Sequence, residues 1–127
     1  MANIVLVDDH ALLRNGLATL VRNLGHGVLF EADNGKDFIE NLKPNSLPDI
    51  VLLDINMPEM DGYTTTRIIR RLPNPLGKTP IVALTADAMP RDKEKCLQAG
   101  MNNFISKPFR INEIESALRI YLGQTRS

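Results

Sequence analysis

The sequence alternates five short aliphatic runs with segments of helical periodicity, and this alternation restricts the fold more than any other feature. The runs are Ile4–Val7, Val28–Phe30, Ile50–Leu53, Ile81–Leu84 and Asn103–Ser106. They are too uniformly apolar for strands with one wetted face, so they predict strands that are covered on both faces. Strict alternation of strand and helix implies right-handed crossovers and a parallel sheet. The sequence therefore predicts an α/β protein with a doubly wound, five-stranded parallel sheet and helices on both faces.

Two of the intervening segments carry apolar residues at helical spacing, and both stripes predict helix faces turned toward the core. The first stripe consists of Leu13, Leu17, Leu20 and Leu24, and the second of Ile111, Ile114, Leu118 and Leu122. Predicted helix stops are Gly25, Gly77 and Gly100. Asp87 and Asn112 fit N-terminal capping or first-turn positions, and the segment LPNPLGKTP (72–80) is predicted to be a loop.

The length and composition limit the classes of protein to consider. A chain of 127 residues can bury one hydrophobic core, so we expect a single domain spanning residues 1–127. The 15 basic and 15 acidic residues cancel, which leaves no overall field toward nucleic acid or anionic lipid. The single cysteine, Cys96, cannot form an internal disulfide, and no apolar segment is long enough to span a bilayer. Since the N-terminus has no signal-peptide pattern, the sequence favours a soluble, cytoplasmic protein.

Polar residues stand where the predicted strands end. Asp8 and Asp9 follow the first strand, Asp54 the third, Thr85 the fourth, and Lys107 the fifth. In a doubly wound sheet the carboxyl ends of the strands meet at one edge, where ligands bind. Each of these residues alone fits an ordinary loop start, but their shared position predicts a functional site.

The residue types at this edge indicate chemistry on a phosphoryl group. Three converging carboxylates repel one another, so they need either a cation or retained protons at neutral pH. Oxygen ligands without thiols favour a hard divalent ion, and Mg²⁺ fits because it accepts a few carboxylates together with waters and a phosphate. Lys107 adds a positive charge and Thr85 a hydroxyl donor, as phosphoryl transfer requires positioning and charge neutralisation. Asp54 is the best-placed nucleophile, since carboxylates form acyl phosphates.

The same residues lie in four motifs, which are LVDDH (6–10), LLDINMPEMDG (52–62), ALTA (83–86) and FISKPF (104–109). In order and spacing, over essentially the whole chain, these motifs resemble the receiver domain of two-component response regulators. The run TPIVALTADAMPRDKEKCLQAGMNNFISKPF is especially similar to receivers attached to hybrid sensor kinases. The resemblance implies a flavodoxin-like (βα)5 fold, like that of the chemotaxis regulator. It also implies that a sensor histidine kinase or a histidine phosphotransfer protein donates a phosphoryl group to the central aspartate.

The resemblance assigns roles to the site residues by position. It makes Asp54 the phosphoacceptor and makes Asp8, Asp9 and Asp54 side-chain ligands of Mg²⁺, with Asp8 acting partly through water. The backbone carbonyl of Asn56 would complete the protein ligands, and Lys107 would hold a phosphoryl oxygen.

The resemblance also implies how the phosphorylated state is read. Thr85 would move to bond a phosphoryl oxygen, and Phe104 would turn inward as Thr85 moves. Pro58 and Gly62 fit the tight turn that shapes the loop after the acceptor. Pro108 resembles the cis-proline that follows the lysine in this family.

Two other functions fit parts of this pattern. A small phosphatase with an aspartyl nucleophile has a similar strand-end geometry, but such enzymes usually place a second carboxylate two residues after the nucleophile. Asn56 occupies that position here and cannot act as acid or base. A purely structural pseudo-receiver would have lost the acidic pair, Asp54 or Lys107, and all are present. The sequence therefore favours a phosphorylation-controlled switch.

The expected partners follow from this interpretation. The few residues after the last helix, Gly123 to Ser127, are too few for an output domain, so we expect either a separate, unidentified output partner or a place within a longer chain. Ile120 and Arg119 lie off the apolar stripe of the last helix and are candidates to contact a partner. A homodimer is compatible with the sequence, whereas direct nucleic acid binding is not expected.

Other candidate features receive simpler interpretations. His10 and His26 lack a partner at ligand spacing, and His10 is interpreted as a helix-start residue. Arg67, Arg70 and Arg71 form a stripe at helical spacing, which is interpreted as a solvated face. DINMPEMDG does not fit a calcium-binding EF-hand loop, because proline occupies its fifth position, and the sequence has no glycine-rich phosphate loop for a nucleotide.

Overall fold

The computed structural model describes residues 2–43, 45–55, 57, 60–86, 90–107 and 109–123. Its strands are β1 (Asn3–Val7), β2 (Gly27–Ala32), β3 (Ile50–Asp54), β4 (Ile81–Thr85) and β5 (Asn103–Ser106). Its helices are α1 (Ala11–Asn23), α2 (Gly35–Asn41), α3 (Gly62–Arg70), α4 (Pro90–Ala99) and α5 (Ile111–Gly123), with a short 3₁₀ helix at Leu76–Lys78. The strands form one parallel sheet in the order β2-β1-β3-β4-β5, which confirms the predicted doubly wound fold.

Both faces of the sheet are covered by helices. Successive side chains of a strand point to opposite faces, and the central strands therefore feed two hydrophobic clusters. Ile50 and Leu52 of β3 pack in one cluster with residues of α1 and α5. Val51 and Leu53 pack in the other cluster with residues of α2, α3 and α4. Burial on both faces explains why β3 and β4 are aliphatic runs rather than alternating strands.

The predicted apolar stripes are core only in part. Leu17 is buried in the first stripe, and Ile114, Leu118 and Leu122 are buried in the second. By contrast, Leu13 is 36% exposed and Ile111 is 63% exposed, so the prediction that these two positions face the core is wrong. Both residues lie in the first turn of their helices. Their positions continue the helical period, but helix ends extend beyond the apolar surface of the sheet.

Two of the three predicted glycine helix stops are confirmed. Gly25 and Gly100 have φ angles of 93° and 106°, in the left-handed region that favours glycine after a helix. Gly77 instead lies inside the 3₁₀ helix Leu76–Lys78, so its prediction as a stop is wrong. Asn112 lies in the first turn of α5 as predicted, whereas Asp87 is outside the described residues.

Arg70 does not lie on a solvated face, in contrast to the prediction for the arginine stripe. Arg67 and Arg71 are exposed, but the Arg70 side chain packs among backbone carbonyls at the end of the sheet away from the carboxyl edge. Its guanidinium donates hydrogen bonds to the carbonyl oxygens of Gly100, Gly77 and Thr79 and to Oδ1 of Asn102, at 2.7–3.1 Å. Burial lowers the pKa of Arg70. The spacing correctly indicated a helix, but it carried no information on these carbonyl partners.

Cys96 lies inside the protein. It is a buried free thiol in the layer formed by α2, α3 and α4, and burial raises its pKa. None of the helices in the described part of the chain is long and apolar enough to cross a membrane.

Candidate functional site

The candidate site lies where the winding of the sheet reverses. β1 is bonded to β2 on one side and to β3 on the other, so the crossovers after β1 and β3 leave toward opposite edges of the sheet. A crevice at the carboxyl ends of such strands is the usual ligand site of an open α/β sheet. Asp8 and Asp9 directly follow β1, and Asp54 is the last residue of β3.

The structure brings the predicted acidic residues together. Asp8 and Asp54 are each 1% exposed, whereas the Asp9 side chain is 31% exposed. One potential ligand atom from each of Asp8, Asp9, His10 and Asp54 lies within 4.8 Å of the others. Two of the carboxylates are therefore buried, and the third faces solvent at the mouth of the site.

Lys107 supplies a positive charge to the two buried carboxylates. Its Nζ lies 3.2 Å from Oδ1 of Asp54 and 3.5 Å from Oδ2 of Asp8. The residue follows β5, and its backbone N–H donates a 2.6 Å hydrogen bond to the carbonyl oxygen of Thr85 at the end of β4. The pairing of β4 with β5 thus fixes the point from which the lysine side chain extends across the edge of the sheet.

His10 belongs to this cluster, although the sequence indicated only its place at a helix start. It is the N-cap residue of α1, and its backbone N–H donates a 2.9 Å hydrogen bond to Oδ1 of Asp8. Its Nδ1 lies 3.2 Å from Oδ1 of Asp9 and 3.4 Å from Oδ1 of Asp8. The imidazole is 70% exposed, so it covers the acidic pair on the solvent side. Its position directly after two aspartates was the only sequence signal for this contact.

The loop after Asp54 is closed by the start of α3. The backbone N–H of Gly62 donates to the carbonyl oxygen of Ile55 at 2.9 Å, and Asp61 caps the helix by accepting from Thr64 N–H at 2.7 Å. A Cβ atom on Gly62 would lie 2.9 Å from the carbonyl oxygen of Asp54. Glycine is therefore required because the helix begins against the backbone that carries the central aspartate. Asn56 and Pro58, which were predicted to belong to this loop, lie outside the described residues.

Thr85 and Phe104 occupy neighbouring strands on the α4 side of the site. Thr85 is 3% exposed at the end of β4. Phe104 pairs in register with Ala83, two residues before Thr85 and therefore on the same face of β4. The ring packs beside the cluster under α4, and Nζ of Lys93 lies 5.7 Å from its centroid. Pro108 lies outside the described residues, within which the cis peptide bond is Asn74–Pro75.

A cleft of about 400 Å³ opens next to the acidic cluster. Its lining combines the site with the first turn of α1 and the end of β4, through His10, Leu12, Leu13, Asp54, Ala86 and Lys107. Leu12 is 86% exposed, so the approach to Asp54 is bordered by an apolar surface. No signal in the sequence indicated this role, because Leu13 fitted the core stripe.

The donor set fits a hard divalent cation. Its carboxylate oxygens are the ligands that Mg²⁺ prefers, and thiols are absent from the cluster. Oδ2 of Asp8 is buried and accepts no hydrogen bond within the part of the chain that the structure describes. Its ionic contact with Lys107 at 3.5 Å is shared with Asp54, so a coordinated cation would further compensate this buried oxygen.

The chain matches a known family over nearly its full length. Residues 4–119 match the response regulator receiver domain. Sensor histidine kinase RcsC of Escherichia coli strain K12 is 39% identical over 123 residues, which cover 97% of this chain and 12% of that protein. Hybrid signal transduction histidine kinase B of Dictyostelium discoideum is 36% identical over 121 residues, which cover 87% of this chain and 6% of that protein. The chain therefore spans only a small part of these relatives.

Solved structures agree with this match. The receiver domain of sensor histidine kinase PA1611 from Pseudomonas aeruginosa PAO1, with a magnesium ion coordinated in its active-site cleft, is 35% identical and has a TM-score of 0.86. The similarity covers 96% of this chain and 98% of that one. Chemotaxis protein CheY4 of Vibrio cholerae is 25% identical with a TM-score of 0.85, over 95% of this chain and 98% of that one. These matches favour a phosphoryl-accepting regulatory module over an aspartyl phosphatase. The chain belongs to the response regulator receiver domain family, which acts in two-component signalling.

Proposed function

We propose that this chain is a cytoplasmic receiver that takes a phosphoryl group onto Asp54 and changes a partner-binding surface in response. The observation that carries the proposal is the arrangement of a buried aspartate beside a lysine and two further carboxylates. Asp54 Oδ1 lies 3.2 Å from Lys107 Nζ, and the ligand atoms of Asp8, Asp9 and Asp54 lie within 4.8 Å of one another. This arrangement supplies a nucleophile, a cationic contact and oxygen ligands at one point.

In the proposed reaction, a carboxylate oxygen of Asp54 attacks the phosphorus of a phosphohistidine. A P–O bond forms as the P–N bond breaks, and the electron pair of that bond remains on the leaving imidazole nitrogen. Lys107 contacts an oxygen of the transferred group and offsets its negative charge. Asp8, Asp9 and Asp54, with the carbonyl of Asn56, would hold Mg²⁺, which when bound neutralises charge on the phosphoryl oxygens.

The phosphoryl donor is a sensor histidine kinase or a histidine phosphotransfer protein. Support comes from the cleft of about 400 Å³ beside Asp54, which is lined in part by Leu12 and Leu13. An exposed apolar border beside a reactive group is typical of a protein docking surface. The curated relatives that resemble the chain are histidine kinases, in agreement with this class of donor.

The output surface is the face that contains α4, β5 and α5. Thr85 is drawn to a phosphoryl oxygen, Phe104 fills the space that it leaves, and the packing under α4 changes. Ile120, which is 47% exposed on α5, is a candidate contact for the output partner. A phosphoryl group adds close to two negative charges and three acceptor oxygens, which is enough to bias such a two-state element.

The proposal is tested by phosphorylation with a small acyl phosphate donor, followed by intact-mass measurement. Wild type should gain a phosphoryl group in Mg²⁺ but not in chelator, and Asp9→Ala should require a much higher Mg²⁺ concentration. Glu115→Ala is the control, because Glu115 is a partly exposed carboxylate on α5 outside the cluster. Unchanged phosphorylation of Asp9→Ala, or of wild type in chelator, would contradict the assignment of these carboxylates as Mg²⁺ ligands.

A further inference from the structure

Asp8 is held by its backbone as well as by its side chain. Its N–H donates to the carbonyl oxygen of Ala32 at 3.1 Å, and its own carbonyl oxygen accepts a 2.6 Å hydrogen bond from Nη1 of Arg14. Its Oδ1 accepts from His10 N–H at 2.9 Å. The first two bonds fix the backbone of Asp8, and the third holds Oδ1 of its carboxylate. Oδ2 lies 3.5 Å from Nζ of Lys107, on the side of the acidic cluster.

Arg14 joins this carbonyl to the end of β2. Nη1 also donates to Oδ1 of Asp33 at 2.6 Å and lies 3.4 Å from the carbonyl oxygen of Ala32, while Nε donates to Oε1 of Glu31 at 3.0 Å. The side chain projects from α1, whose first turn begins at the acidic pair. One guanidinium therefore connects the start of α1, the residue after β1, and the end of β2.

Two carboxylates compensate the charge of the partly buried Arg14 guanidinium. The Arg14 side chain is 14% exposed, and burial alone would lower its pKa. The hydrogen bonds and charges of Asp33 and Glu31 outweigh this effect and raise the pKa of Arg14. The guanidinium thus remains charged, and its fork geometry satisfies several acceptors at once.

We propose that Arg14 is a positioning residue for the acidic site, which sets the orientation of Asp8 for metal binding. The inference rests on the proposed function, because it concerns the Mg²⁺ affinity of the same carboxylates. Arg14 bonds the backbone carbonyl of Asp8 and not its carboxylate, so it would act by fixing the backbone from which the ligand extends. Outer partners that orient a metal ligand typically contribute strongly to the affinity for the metal. The alternative is that Arg14 contributes only to the packing of α1 against β2.

Arg70 provides a matched control for a purely structural arginine. Its guanidinium also donates to several carbonyl oxygens and to a side chain, but on residues at the other end of the sheet. Loss of either guanidinium removes a comparable set of hydrogen bonds. Only loss of Arg14 should affect the acidic cluster.

The experiment measures Mg²⁺ affinity from backbone amide chemical shifts in wild type, Arg14→Met, Arg14→Lys and Arg70→Met. Arg14→Met should weaken the affinity roughly tenfold or more, as expected when the partner of a metal ligand is removed. The affinity of Arg14→Lys should lie between those of wild type and Arg14→Met, because lysine keeps the positive charge but lacks the planar, branched set of donors of a guanidinium. Arg70→Met should leave the affinity unchanged. Equal affinity in wild type and Arg14→Met would overturn the proposal.

Amide hydrogen exchange without Mg²⁺ provides a second measurement. The amides of Asp8 and His10 should exchange faster in Arg14→Met, relative to amides of β4, and should remain protected in Arg70→Met. If wild type itself binds no Mg²⁺, the proposed function fails, and this exchange comparison decides the role of Arg14. Glu31→Gln removes the negative charge that accepts the hydrogen bond of Arg14 Nε, so it should also weaken the affinity and speed the exchange. It replaces Arg14→Met in the experiment if that variant does not fold. Unaltered exchange and affinity in Arg14→Lys and Glu31→Gln would also overturn the proposal.

Discussion

At the scale of single residues, the carboxylate of Asp54 ends a strand that is otherwise entirely aliphatic and is itself 1% exposed. A buried carboxylate is costly unless it is paired or hydrogen-bonded. Lys107 lies within 4 Å of both Asp54 and Asp8, so one ammonium faces two buried carboxylates. The site therefore keeps an excess of negative charge, which a bound divalent cation would neutralise.

The charge excess predicts the stability of Asp54→Asn. The variant keeps the shape of the side chain and removes one of three clustered carboxylates, so its free energy of unfolding should equal or exceed that of wild type by up to about 1 kcal/mol. Denaturant unfolding in chelator measures this difference. Added Mg²⁺ should stabilise wild type but have a much smaller effect on the variant. A large destabilisation of Asp54→Asn would show that the carboxylate makes a structural contact that the charge argument omits.

Individual residues also mark the limit of prediction from the sequence. The strand-end positions of Asp8, Asp54 and Lys107 were predictable, because a parallel sheet brings the carboxyl ends of its strands to one edge. The contacts of His10 and Arg14 were not, since they depend on rotamers and, for Arg14, on Glu31 of β2, which is 17 residues away along the chain. The roles of Asn56, Pro58 and Pro108 remain predictions.

At the scale of elements, the start of α3 sets how closely the helix approaches the end of β3. The close contact of Gly62 with the Asp54 carbonyl and with Ile55 leaves no room for a side chain. The helix is also fixed by its N-cap residue, Asp61, so a larger residue at 62 cannot be accommodated by a simple rotation. Element packing thus maintains the backbone that carries Asp54.

Gly62→Ala should therefore destabilise the protein, by roughly 1–3 kcal/mol, as expected for an inserted methyl group in a closely packed region. Denaturant unfolding measures the loss, and the amide shifts of Asp54 and Ile55 should change with it. Gly16→Ala is the matched control, because Gly16 lies inside α1 and a Cβ atom added there would have no other atom within 4 Å outside its own helix backbone and chain neighbours. That control should stabilise the helix by about 0.5–1 kcal/mol. Equal effects of the two substitutions would contradict the packing argument.

Helix ends were the elements that the sequence predicted least well. The periodicity of α1 and α5 was correct, but Leu13 and Ile111 are exposed because a helical stripe continues past the edge of the sheet that it covers. Gly77 fitted the pattern of a helix stop although it lies within a 3₁₀ helix, since glycine alone does not distinguish a turn from a short helix. The physical reason in both cases is that tertiary packing, and not local sequence, decides where a helix ends and which of its terminal residues are buried.

At the scale of the whole molecule, the site and the α4–β5–α5 face share strands β4 and β5. Thr85 and Phe104 lie on the same side of this strand pair, and Phe104 packs beside the cluster that contains Cys96 of α4. We therefore expect a change at Thr85 to reach α4 through this face of the sheet. The size of this response is limited by the difference in contacts that the phosphoryl group makes in the two states.

Thr85→Ala should separate phosphorylation from the distal response. The variant keeps Asp54, Lys107 and the acidic pair, so it should accept the phosphoryl group nearly as well as wild type. Its amide shifts and exchange rates across 90–122 should respond less to a phosphate mimic, because the variant lacks the hydroxyl that we propose bonds a phosphoryl oxygen. Thr85→Ser retains the hydroxyl and is the matched control. A full distal response in Thr85→Ala would assign the relay to another residue.

The most direct test of Asp54 as the phosphoacceptor is the location of the phosphoryl group after treatment with a small acyl phosphate donor in Mg²⁺. We expect that wild type gains the mass of one phosphoryl group, that peptide mapping assigns it to Asp54, and that Asp54→Asn gains none while retaining its fold. A full adduct on folded Asp54→Asn, or an adduct mapped to another residue of wild type, would contradict the assignment of Asp54 as the phosphoacceptor.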